Sequence, residues 1–111
     1  MKLPYLKNAY VPEAKIVKYL LNLDHKQGGK DKAVFFMRFG FTIEAWGILA
    51  QALLIHASTH EVASVMTLPD RVHYVIEGTM ISPDGRNPKI RSVWVVETDT
   101  TTPRFVSAYP L

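Results

Sequence analysis

The feature that most limits what this chain can become is a change of hydrophobic period at His60. Before it, Ile43, Trp46, Gly47, Ala50, Leu53, Leu54 and Ala57 recur at the i, i+3, i+4, i+7 spacing of one helix face. After it the spacing drops to two, most clearly where Ile90, Trp94 and Val96 alternate with Arg91, Val93 and Val95. Helices first and strands afterwards predict an α+β fold. We expect three N-terminal helices packed on a C-terminal antiparallel sheet of about four strands, the helix over residues 42–58 lying against one sheet face.

Local signals divide the chain further. Pro12 suits the first position of a helix and Glu13 its positive end, which predicts helix one from residue 12 to about 23. Ile16, Leu20 and Leu23 then share a stripe, with Val17 and Leu21 beside it. Gly28-Gly29 interrupts, a short aromatic helix follows over about residues 31–39, and Gly40 is placed to stop it. Thr42 is read as the cap of helix three, which is apolar nearly all round. A helix of that kind is expected to be buried on most sides, between sheet and helix or at a self-association surface. Strands are predicted over residues 61–66, 72–81, 89–97 and 104–109, with an Asp-Gly hairpin turn over 82–88. At 111 residues the chain reads as a single domain, 1–111.

Composition narrows the chemistry. There is no cysteine, which excludes disulfides, thiol catalysis and cysteine-bound zinc. A net charge of +3 permits a phosphate-bearing partner. No stretch approaches the ~20 apolar residues of a membrane span, and the first residues do not read as a signal peptide, so a cytoplasmic location without membrane contact is expected.

Two stretches concentrate reactive groups. The first, residues 19–33, places His25, Lys26, Lys30 and Lys32 around Gly28-Gly29, between two helices. His25 is either a loop or capping histidine or a general acid–base, the lysines around it lowering its pKa and so keeping the neutral imidazole available as a base. Lys30 and Lys32 are either solvated or hold an anion beside exposed glycine N–H groups; the spacing is not that of a phosphate-binding P-loop. The second stretch, PRFVSAYPL, offers Arg104, Ser107 and Tyr109, with Arg91 and Glu77 on neighbouring strands. Strict alternation sets Arg104 and Val106 on one face of the strand and Phe105, Ser107 and Tyr109 on the other. Ser107 lacks the glycine-flanked elbow of a serine hydrolase. His56 and His60 have the four-residue spacing of zinc ligands, but without a third ligand at a recognisable distance; no metal or other cofactor is expected.

VPEAKIVKYLLN, His25, Gly28-Gly29, KAVFF, Gly40-Phe41, Gly78, PDGR, SVWVVE and PRFVSAYP together resemble a bacterial family of small uncharacterised domains, free-standing or at the C-terminal tails of toxins and adhesins. That family is similar to the barnase–EndoU–colicin–RelE class of ribonucleases. The resemblance implies helices before a four-stranded antiparallel sheet, and functional positions at His25, Lys32, Arg104, Ser107 and Tyr109. Ser107 stands where the family carries threonine, which keeps the hydroxyl and loosens its rotamer. The expectation is a metal-independent endoribonuclease with His25, Lys32, Arg104 and Ser107 as catalytic residues. Lys30, Tyr109 and Arg91 would bind substrate, and the partners would be RNA and a cognate antitoxin or immunity protein. The alternative is a non-catalytic interaction module, one half of a toxin–antitoxin-like pair, with helix three or the edge strand as its contact surface; a third option is a domain that only forms a homodimer.

Overall fold

The computed structural model describes residues 1–24 and 29–111. Three helices precede a four-stranded antiparallel sheet, as the change of period predicts. Helix α1 begins at Glu13–Lys15 and continues without a break into a wider π-helical turn, Ile16–Leu20. Helices α2 (Gly29–Arg38) and α3 (Trp46–Thr59) follow. Strands β1 (Val62–Leu68), β2 (Arg71–Thr79), β3 (Lys89–Glu97) and β4 (Arg104–Pro110) form a meander in the order β1-β2-β3-β4. Among the described residues no helix is long and apolar enough to cross a membrane.

The core lies between the helices and one sheet face. Trp94 meets Phe105 edge-on at 5.4 Å between ring centres. Ile76, Ile90 and Ala108 extend that face, and Ile16, Leu20, Leu21, Phe36, Leu49 and Leu53 cover it from the helices. The π turn departs from the predicted stripe. The Leu21 N–H reaches back five residues to the Ile16 carbonyl (2.8 Å), and Leu21 is buried completely. The helix therefore ends early, and Leu23, expected on the buried stripe, is 48% exposed. Helix three also differs from expectation. It is buried along one side through Leu49, Ala52, Leu53, His56 and Ala57, while Ile48 is exposed. Thr42 accepts the Ala45 N–H (3.2 Å) in a turn ahead of the helix rather than capping it.

Gly40 stops α2 as its position suggests. With φ of +100° it lets the Gly40 N–H reach the Met37 carbonyl (3.0 Å) and the Phe41 N–H reach that of Phe36 (3.4 Å), while the Phe36 and Phe41 rings pack at 6.2 Å. This is the Schellman arrangement, with its apolar clasp across the helix end. The Asp-Gly hairpin turn docks on the same place. The Asp84 N–H bonds to the Phe39 carbonyl (3.2 Å), and the Arg86 guanidinium lies over the Phe39 ring (4.5 Å) and donates to the Arg38 carbonyl.

Among the described residues the core holds one histidine, His56, 1% exposed. Its Nε2 faces the Gly78 carbonyl (3.1 Å), which only accepts, so Nε2 carries the proton. Its Nδ1 then accepts from the Ser92 hydroxyl (3.0 Å), which in turn accepts the Trp94 indole N–H (2.9 Å). Both ring nitrogens are thus committed within the fold, and the spacing that suggested a metal pair serves packing. The His60 ring lies 5.0 Å from that of His56 and covers Gly78 so closely that a Cβ there would stand 2.5 Å from it.

Burial pushes the His56 imidazole down to about 4, with His60 adding to the effect and contacts to the Gly78 and Ile90 carbonyls opposing it. The folded value lies below the ordinary 6.5, so as pH falls the unfolded chain takes the proton first. The stabilisation is complete above about pH 6.5 and is lost as pH drops toward about 4, on the order of 3 kcal/mol over the window. Urea unfolding at steps between pH 7 and 4 should show this decline, weakened in His56→Gln. Parallel curves for the two proteins would rule out His56 as its source.

Candidate functional site

The site begins with an irregularity in β4. Along β3, Arg91, Val93 and Val95 share one face, and they pair with Tyr109, Ser107 and Arg104. The register slips between Val93 and Trp94, so Phe105 pairs with Trp94 and Val106 is the extra residue of a bulge. The extra residue inverts the alternation. Phe105 turns to the core with Ala108, while Arg104 joins Ser107 and Tyr109 on the other face. The expectation that Ser107 and Tyr109 share a face holds; that Arg104 faces away from them, with Phe105 beside them, does not.

The N-terminal helices approach this strand at its outer edge. Tyr10 forms a parallel bridge with Arg104: its N–H donates to the Pro103 carbonyl and its carbonyl accepts the Phe105 N–H, both at 3.0 Å. The bridge starts α1 beside β4, and the π turn carries Tyr19 to Ser107, phenol and hydroxyl oxygens 3.0 Å apart. Lys32, from the first turns of α2, completes the group. Its ammonium donates to the Tyr19 phenol oxygen and lies 3.3 Å from the Ser107 Oγ. It also sits over the Tyr19 ring at 4.7 Å and the Tyr109 ring at 5.6 Å. Two stretches far apart in sequence therefore meet at one half-buried cluster of a cation and three hydroxyl-bearing side chains.

The other predicted residues sit around it. Arg91 lies over the Tyr109 ring, 5.5 Å from its centre, and is hydrogen-bonded to the Glu77 carboxylate across the strand pair (2.7 Å). Arg104 reaches Glu97 at 3.2 Å and, with Lys15, Tyr19 and Ser107, lines an open groove of ≈ 590 Å³. Lys30 is exposed in the first turn of α2. His25 lies outside the described residues.

Charge distinguishes Lys32 from its neighbours. Arg91 and Arg104 each have a carboxylate partner. Among the described residues no carboxylate lies within ion-pair distance of Lys32, whose contacts are hydroxyls and rings. An uncompensated, half-buried ammonium beside a hydroxyl donor suits an anion. The same field acts on Tyr19. Burial pushes its phenol up, but hydrogen bonds with Lys32 and Ser107 and the charges of Lys32 and Lys15 outweigh that, and it rests below the usual phenol value. Sequence reasoning missed Tyr19 as a site residue. The one signal available was a hydroxyl on the apolar stripe of Ile16, Leu20 and Leu23, three residues after Ile16 and four after Lys15.

The family model described as "Domain of unknown function (DUF6883)" matches residues 2–111. The chain belongs to that family. No curated protein matches the sequence. Among solved structures the fold is similar to a chain of a contact-dependent growth inhibition toxin–immunity protein complex from Klebsiella pneumoniae 342. That likeness has a TM-score of 0.72 at 18% identity, over 96% of each chain. It establishes a shared architecture.

Because Lys32 favours the ionised phenol, Lys32→Met should raise the pKa of Tyr19. Ultraviolet difference titration of phenolate absorbance, with Tyr19→Phe subtracted to isolate this tyrosine, should show the upward shift. An unmoved or falling titration would contradict the arrangement.

Proposed function

We propose that the chain is an endoribonuclease of a toxin system, acting as a single domain in the cytoplasm by attack of a ribose 2′-hydroxyl on its own phosphodiester to leave a 2′,3′-cyclic phosphate. The observation that carries this reading is the 3.3 Å approach of the Lys32 ammonium to the hydroxyl of Ser107, a residue that lines a groove together with Arg104. That arrangement supplies what such a reaction needs: cations where charge builds on phosphorus and a donor for a phosphate oxygen. In this reading Lys32 and Arg104 stabilise the transition state and Ser107 holds a phosphate oxygen. Tyr109, already under two cations, stacks on a base, while Lys30 and Arg91 bind the backbone on either side. His25 is assigned proton transfer from the sequence resemblance. The chemistry proceeds by proton transfer and fixed charge and calls for no metal. The fold's likeness to a chain of a toxin–immunity complex supports the toxin setting, as the family resemblance does.

Purified protein incubated with tRNA in chelator should release cyclic-phosphate ends. Lys32→Met and His25→Ala should each slow this by about 10²–10⁴-fold while melting like the wild type. Intact RNA with folded wild-type protein would overturn the reading.

A second reading is favoured by β1. Its seven residues, VASVMTL, carry no charge and no proline, Val65 and Met66 are 49% and 61% exposed, and among the described residues no strand of the sheet neighbours its outer edge. Such an edge is a template for strand addition. A cognate immunity or antitoxin protein docking there would make the chain one half of a pair, with or without catalysis. Val65→Lys should then weaken capture of the small protein encoded beside it by tenfold or more in a titration. Unchanged capture would move the interface elsewhere.

A further inference from the structure

We propose that Tyr19 is the proton-accepting catalytic residue of the site, taking the proton from the ribose 2′-hydroxyl as that oxygen attacks phosphorus. The proposal rests on the ribonuclease reading and assigns within it a role that the sequence did not suggest.

The argument starts from what the hydrogen bonds permit. Lys32 as an ammonium only donates, so the Tyr19 oxygen accepts from it. The Tyr19–Ser107 contact at 3.0 Å can run either way, because both groups are hydroxyls. As a phenol, Tyr19 accepts from Lys32 and donates to Ser107. As a phenolate, it accepts from both, and of these two contacts the Ser107 hydrogen alone has to turn. Both protonation states are therefore compatible with these two contacts, the heavy atoms staying where they stand. A group that exchanges a proton without moving its neighbours is pre-organised for acid–base work.

Position and company point the same way. Tyr19 and Ser107 line the same groove as Arg104 and Lys15, so a phosphate drawn in by those cations shares the groove with the Tyr19 side chain. Among the described residues lining that groove there is no carboxylate and no imidazole. Lys15 and Arg104 are cations without a lone pair to offer, and a serine hydroxyl is a poor base unaided. Lys15 also stands 5.7 Å over the Tyr19 ring, a second positive charge favouring the ionised form. The lowered phenol pKa is consistent with these contacts.

The step balances as follows. The Tyr19 phenolate takes the 2′ proton, the 2′-oxygen–phosphorus bond forms, and the bond from phosphorus to the 5′-oxygen breaks. The leaving 5′-oxygen takes the proton that the ribonuclease reading assigns to His25, which solvent restores, and the phenol returns its own to solvent. Lys32 remains an ammonium throughout.

The test uses the full chain, tRNA as probe, and initial cleavage rates between pH 6 and 10. Tyr19→Phe removes one oxygen and keeps the ring, so its melting curve should match the wild type while cleavage falls by about 10²–10⁴-fold. 3-Fluorotyrosine placed at position 19 keeps the hydroxyl but ionises at lower pH. It should retain cleavage and move the rising limb of the pH profile downward. Tyr19→Phe cleaving at the wild-type rate, or a limb that stays in place with fluorotyrosine, would overturn the assignment and leave the ribonuclease reading standing. A wild-type protein that cleaves nothing would overturn both.

Discussion

The arrangement depends on the way the first ten residues span the sheet. At one edge the Met1 carbonyl accepts the Val62 N–H (2.7 Å); at the other, Tyr10 brackets β4 through Pro103 and Phe105. Between these ends Leu3 is buried in the core and Leu6 and Ala9 pack against it. This crossing sets where α1 begins and how far along β4 it runs. Without it the phenol of Tyr19 has no reason to meet Ser107. The backbone hydrogen bonds at Tyr10 are ordinary in strength, and their value lies in register.

Much of the architecture was legible because it follows local chemistry. The Asp-Gly turn and the alternation of Ile90, Trp94 and Val96 gave the hairpin, and Gly40 gave the end of α2. What escaped is what local chemistry does not encode. The Ile16–Leu20 sequence is a good α-helical stripe, and its widening to a π turn comes from the packing of Leu21 in the core. The β4 bulge follows from Trp94 and Phe105 demanding the same layer as Ala108, a requirement that involves β3 as much as β4. Each irregularity shifts side chains by one residue, and together they bring Tyr19, Arg104 and Ser107 into one groove. Periodicity therefore found Lys32 and Ser107 by type and missed the phenol between them. His56 escaped for the same reason: its partners Ser92 and Gly78 lie on strands that no spacing rule connects to it.

The supporting elements are built more rigidly than the reacting ones need be. The Asp84–Arg86 turn grips the end of α2 through the Phe39 and Arg38 carbonyls and the Phe39 ring, which fixes the helix that carries Lys32. On the sheet side, the Trp94–Ser92–His56 chain ties β3 to α3 beneath the face that carries Arg91. A cation and a hydroxyl presented from two independently anchored elements hold their separation through the fold rather than through their own contact.

The meander has a consequence for how the chain assembles. Every strand pairing joins sequence neighbours, so the three hairpins close short loops and form with little entropic delay. The contacts that shape the groove are of another kind: Asn8 to Thr101 spans 93 residues and Tyr19 to Ser107 spans 88. Loop-closure entropy orders these events, with the sheet preceding the seal along its outer margin. A nascent chain emerging N-terminus first holds Tyr19 and Lys32 long before it holds Ser107, and so completes its groove only once β4 has been made.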